Sequence, residues 1–320
     1  MTTQKLQKNI VERLALIKYL YKMGIEQSKQ SERISALSIL AFHDSIEMFL
    51  KLLAEHLNIK SENFSFLQYW TEIPKLTLKE SMRSFNTIRV NIKHKGLSPS
   101  KSDIEKCRVN ATDFFEQNTS IQFGIDFKDI SLLTLIQYPN VRQRLEEAQK
   151  NLDENQIENC IENAAIAFDE LISSYEDSKS EYYEGSPFFF GKDLTSHGSL
   201  HIGIDRFSSS DIERKLGEFV DKVKESFEGI QKAIKIMSFG IDYKKFTKFK
   251  LLTPIVGKMQ GGRYAVELWG KKKWTKENCQ YCIDFVLDSS LKLQEFDFDI
   301  NELIEETKAT VLITENKGTI

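Results

Sequence analysis

Cysteine is scarce in this chain of 320 residues: only Cys107, Cys160, Cys279 and Cys282 are present. Four scattered cysteines cannot form the disulfide framework of a small secreted protein. No apolar run approaches the roughly 20 residues that a membrane-spanning helix needs. The start, MTTQKLQKNI, lacks the apolar core of a signal peptide, so a cytoplasmic protein without membrane contact is expected. A dominant charge is missing too, the formal net charge being -3. A chain without a general positive field meets a polyanion only through a local basic patch. There is no glycine-rich phosphate loop and no nucleophile elbow. His197 and His201 stand four apart, but Gly198 and Gly203 argue against the helix that a metal pair at that spacing requires. Cys279 and Cys282 form a single C-x-x-C with no second pair, which predicts two buried thiols in a helix rather than zinc or redox chemistry. No metal and no cofactor is expected.

What is present is helical patterning. Hydrophobic residues make up 41% and charged residues 28%, ordinary for a globular chain with room for two domains. Residues 4–29 read as a helix with Ile10, Leu14, Ile17 and Leu20 on one side. Ser31 caps a second, whose stripe runs from Ile34 and Leu37 through Ala41, Ile46, Phe49 and Leu50 to Leu53. Its polar residues His43, Asp44 and Glu47 share one side. The aromatic segment 61–73 plugs one end of a bundle, and Ser102 with Glu105 opens a further helix to about residue 118.

The stretch around which the first part of the chain is organised is TLKESMRSFNTIRVNIKHKG, residues 77–96. Thr77 and Glu80 have the spacing of a capping box, and Gly96 followed by Pro99 marks the stop. Leu78, Met82, Phe85, Ile88 and Ile92 form a stripe, and Arg89 sits at its edge. A guanidinium half inside a packing face is costly unless an anion meets it. His94 falls in the last turn, where the helix C-terminus favours a protonated imidazole. An ever-charged fork on the same helix as an imidazole is a pair suited to phosphate chemistry.

The spacing Arg89-x4-His94 resembles the R-x4-6-H motif of HEPN domains, helical bundles that are often metal-independent ribonucleases of prokaryotic defence and toxin systems. The upstream SALSILAFHDSIEMFLKLLAEH, with Glu47 ahead of an apolar run ending in Lys51, is similar to the second helix of that family. The resemblance covers the first third of the chain. It implies an endoribonuclease acting through the RNA 2′-hydroxyl, with Arg89 and His94 catalytic and Glu47 or Asp44 fixing the arginine fork. Many members carry a polar residue directly after the arginine; here Val90 stands there and Asn91 follows, so Asn91 takes the place of the polar partner. Lys93 and Lys95, which flank His94, are then RNA contacts. The resemblance also implies a homodimer, with an antitoxin or another protein as a possible partner.

Beyond residue 120 the reading is coarser. Residues 121–184 form a helical connector with one hairpin, and 185–320 a mostly helical module with at most a small β element. The Gly, Ser and Phe-rich segment 184–210 is the clearest boundary. A long helix follows, with Ile212, Leu216, Phe219, Val223, Phe227, Ile230, Ile234 and Met237 as its stripe, expected to face a core. Lysines interleaved with Tyr243, Phe246 and Phe249, and the run Lys271, Lys272, Lys273, suit single-stranded RNA, where phosphate contacts and base stacking add. The expected class is mainly α. Two other functions stay open: a non-catalytic helical module that binds a partner protein or nucleotide, and a scaffold whose C-terminal half does the work.

Overall fold

A computed structural model describes residues 7–179, 211–259, 261–267 and 273–295, with Asp297, Asp299, Glu302 and Glu305. The fold is mainly α, with one two-stranded sheet among the described residues. Among the described residues no helix is long and apolar enough to cross a membrane. The chain divides into two compact units, Met1–Leu135 and Ile136–Ile320.

In the first unit, α1 (Lys8–Ser28) lies along α3 (Leu37–His56). The approach is close because Gly24 has no side chain: a Cβ there would fall 2.7 Å from the Phe42 ring. Instead of one capped helix from residue 31, the short α2 (Glu32–Ser35) precedes α3, and Ser31 makes no side-chain cap. Helix α3 is the hub. Its Phe42, Ile46, Phe49, Leu50 and Leu53 are fully buried, and Phe49 meets Phe114, Phe115 and Phe123 edge-on. Those three rings lie on α6 (Lys101–Phe123). The capping box of α6 is Ser100 with Asp103, two residues ahead of the expected pair; Glu105 binds Arg108 instead. The short α4 (Tyr69–Glu72) adds Tyr69 and Trp70 to the core. After α6, the 3-10 turns Phe127–Asp129 and Leu132–Leu135 are tied to α1 by Lys18, whose ammonium donates to the carbonyls of Lys128 and Ile130, both at 2.7 Å.

The motif helix α5 (Lys79–Lys95) buries Met82 and Phe85 and half-buries Ile88 and Ile92, as the stripe predicts. It ends on Gly96 in the left-handed region at φ 63°, with Gly96 and Leu97 N–H groups bonded back to Ile92 and Asn91. Its start differs from expectation. Thr77 does not cap: its N–H is held by Asn118 Oδ1 at 3.0 Å and its carbonyl accepts from Trp70 Nε1. Leu78 turns left-handed at φ 64°, and Glu80 pairs with Arg83. Thr77 is spent on joining α5 to α4 and α6.

In the second unit, α7 (Pro139–Asp153) and α8 (Ile157–Asp177) form the hairpin, and α11 (Lys276–Glu295) packs on both. The hairpin is therefore part of this unit's core and not a separate connector. Phe168, Phe249 and Phe285 pack with centroids 4.6–5.3 Å apart. Helix α9 (Asp211–Ser238) departs from its reading as a core helix: Ile212, Phe219, Phe227, Ile230 and Met237 are exposed, and among its described side chains and glycines burial is confined to Gly217 and Ile236. Periodicity shows that a helix is amphipathic and is silent about what covers it. Strands β1 (Ile255–Lys258) and β2 (Tyr264–Glu267) pair antiparallel, Ile255 opposite Glu267 and Lys258 opposite Tyr264.

The four cysteines are free and buried. Burial pushes the thiols of Cys107 and Cys282 up to about 12, and those of Cys160 and Cys279 are raised as well. All four are thus protonated at neutral pH and shielded. A charged disulfide reagent is expected to titrate no thiol in the folded protein and four after denaturation. A fast-reacting native thiol would contradict this packing.

Candidate functional site

The catalytic residues predicted from sequence fall on the facing helices α3 and α5. Arg89 is half-buried, and its Nε is buried without a hydrogen-bond partner. The expected fork to a carboxylate is not formed. Glu47 gives Oε1 to Lys51, one turn on in its own helix, at 3.0 Å, and Asp44 stands 60% exposed. An i,i+4 lysine on the same helix reaches Glu47 at less entropic cost than a side chain from another helix. Arg89 acts on this group through space. Burial pushes the Glu47 carboxyl up, but Lys51 first, then His43 and Arg89, outweigh it and hold the carboxyl below its ordinary value.

His43, which the sequence puts on one side with Asp44 and Glu47, differs from both in burial. It is not on an exposed polar face; it is 3% exposed, stacked on Phe66 with centroids 4.5 Å apart and near-parallel to Phe85 at 6.2 Å. The signal was present, since His43, Ile46, Leu50 and Leu53 follow helical spacing on one inner face. Its Nε2 lies 3.2 Å from Asn86 Oδ1, an acceptor, so Nε2 carries the proton and the lone pair sits on Nδ1. Burial first, and the Arg89 charge second, hold the ring below its ordinary pKa. Asn86, one turn before Arg89 on α5, is the other site residue that the sequence did not reveal.

His94, Lys93 and Lys95 are exposed in the last turn of α5, and Asn91 is half-buried. Five positions along an α-helix place His94 about 140° around the axis from Arg89. Within one chain the two therefore point to different sides of α5. On the second unit, Lys273 is exposed, whereas Lys271 and Lys272 lie outside the described residues, as do His197 and His201. Phe246 and Phe249 are core residues and cannot stack on bases, which removes two of the three aromatics of that expected RNA face. Tyr243 alone of the three is exposed.

The same unit holds a cleft of about 400 Å³ between α8, α9, α10 (Tyr243–Leu252) and β1. Asp169, Lys232 and Lys250 line it beside Phe168 and Ile172. Burial raises Asp169, and burial with the Lys232 charge lowers Lys250, so each leans towards its neutral form. Comparison with family models, curated proteins and solved structures returns no match.

Proposed function

We propose that the first unit is an RNA-cleaving bundle of the HEPN type, with Arg89 as the phosphate-binding group and His94 as the proton-transfer group. The observation that carries the reading is Arg89 itself: a half-buried guanidinium whose Nε has no acceptor. An unmet buried donor costs stability unless a ligand uses it. A phosphate presents two oxygens in the geometry of the fork. Lys93 and Lys95 give the local cationic end that a chain of net charge -3 needs to hold RNA.

The chemistry is an internal transesterification. The 2′-oxygen loses its proton and attacks phosphorus, the bond to the 5′-oxygen breaks, and that oxygen takes up a proton. Arg89 meets the charge that builds on the phosphoryl oxygens. Two proton transfers need two groups, and a second copy of the chain supplies a second His94. The species in this reading is a two-fold dimer in which Arg89 of one chain and His94 of the other share a cleft, which suits their positions on different sides of α5. The setting is a defence or toxin system, as the resemblance implies. The test is incubation with labelled RNA in excess chelator: cleavage is expected to persist, and its specific rate to fall on dilution below the dimer dissociation constant. No cleavage at any concentration would refute the reading.

The alternative is a regulator that binds a small ligand, and the cleft at Asp169, Lys232 and Lys250 favours it. In that case nucleotides raise the melting temperature of the wild type and not of Lys250→Met, and RNA stays intact.

A further inference from the structure

One arrangement on α3 is left unused by the RNA reading. The Nδ1 of His43 is buried without a hydrogen-bond partner, yet it faces two carboxylate oxygens: Asp44 Oδ1 at 3.7 Å and Glu47 Oε2 at 3.9 Å. These distances are too long for hydrogen bonds. The three ligand atoms lie within 4.8 Å of one another. With the ring proton on Nε2, an imidazole lone pair and two anionic oxygens converge with no proton between them. That combination is unfavourable by itself and is relieved by a cation.

We propose that His43, Asp44 and Glu47 bind one divalent transition-metal ion, with His43 Nδ1 as the inner ligand and one oxygen from each carboxylate at the rim. Histidine and glutamate four apart project from the same side of a helix, which is the spacing of helical metal pairs. One nitrogen and two carboxylate oxygens suit Mn²⁺ or Zn²⁺ better than a soft ion bound by thiolates. The surroundings have the form of a supporting shell. Asn86 fixes the tautomer from α5, and Phe66 and Phe85 hold the ring plane, the kind of outer contacts that orient a ligating histidine. Access comes from the rim, where Asp44 is 60% and Glu47 36% exposed.

Two cations oppose the ion. Lys51 neutralises Glu47, but through Oε1, so Oε2 stays turned to His43. Arg89 acts across from α5. The local formal charge of Asp44, Glu47, Lys51 and Arg89 is zero, so removal of Lys51 is expected to strengthen binding. The proposal goes beyond the cleavage reading and does not depend on it: the ion sits on α3, and no step of the transesterification passes through it.

The experiment is titration of the full chain with Mn²⁺, following loss of the free-ion electron paramagnetic resonance signal, with pulsed detection of a directly bound nitrogen. One ion per chain with nitrogen coupling is expected. Asp44→Asn, at an exposed position, and Glu47→Gln, at a half-buried one, replace no core side chain and are expected to weaken binding by about tenfold or more. Lys51→Ala is expected to tighten it. No binding at millimolar Mn²⁺, binding without nitrogen coupling, or wild-type affinity in both carboxylate variants would overturn the proposal. RNA is absent throughout, so a failure here leaves the cleavage reading standing, and a chain inactive on RNA leaves the metal site standing.

Discussion

Arg89→Ala is expected to lower RNA cleavage about 100-fold, the loss that follows removal of one donor to a transition-state oxygen, and to leave the chain folded. Both halves follow from the same feature. Arg89 Nε has no hydrogen-bond partner, and neither Glu47 nor Asp44 forms the expected fork with it, so truncation breaks no such bond. Removing an unmet buried donor relieves a desolvation penalty. His94→Ala is expected to cost about 10²–10⁴ in rate with no change in stability, because the side chain is exposed at the end of α5. Circular dichroism and a cleavage assay on the two variants give the result. An unfolded Arg89→Ala chain would show that the guanidinium is a structural group, and unchanged cleavage in both would remove the site.

Phe49→Ala is expected to destabilise the first unit by about 3–5 kcal/mol, the range for deleting a fully buried phenylalanine. Phe49 is 0% exposed and lies at the centre of three edge-on rings on α6, with centroids 5.5–5.7 Å away. No other residue of α3 has three such aromatic contacts to replace it among the described residues. Hydrogen exchange read by peptide is the measurement. Protection in α1, α3 and α6 should fall, while α7, α8 and α11 keep theirs, since the chain forms two compact units. Equal loss in both would mean that the units unfold as one.

The motif helix shows how far local sequence carries. Its stripe and its glycine stop were legible because Met82, Phe85 and Gly96 answer to spacing and backbone sterics alone. Its start was not, because Thr77 had a competing use for its backbone in Asn118 and Trp70, residues far away in the chain or on another helix. The α6 cap lies at Ser100 and not at Ser102: the Ser100 hydroxyl accepts from the Asp103 N–H, and the Asp103 carboxylate accepts from the Ser100 N–H. Buried thiols in the C-x-x-C were foreseen, and Cys279 and Cys282 are both buried on α11. Phe246 and Phe249 were misread because lysines at helical spacing look alike whether the residues between them face solvent or Phe285. The burial of His43 was not legible for a related reason. A histidine flanked by Asp44 and three before Ile46 belongs to both a polar and an apolar face, and only the packing of Phe66 and Phe85 decides between them.

The central claim is that Arg89 receives a phosphate undergoing attack by its own 2′-oxygen, and the ends of the RNA products report on this directly. Labelled RNA incubated with the wild-type chain in excess chelator should give fragments ending in 2′,3′-cyclic phosphate, paired with fragments beginning in a 5′-hydroxyl. Arg89→Ala should give neither at the wild-type rate. Fragments ending in a 3′-hydroxyl and beginning in a 5′-phosphate, or cleavage that stops when divalent ions are removed, would mean that water and a metal carry the attack, and the account of this site would be wrong.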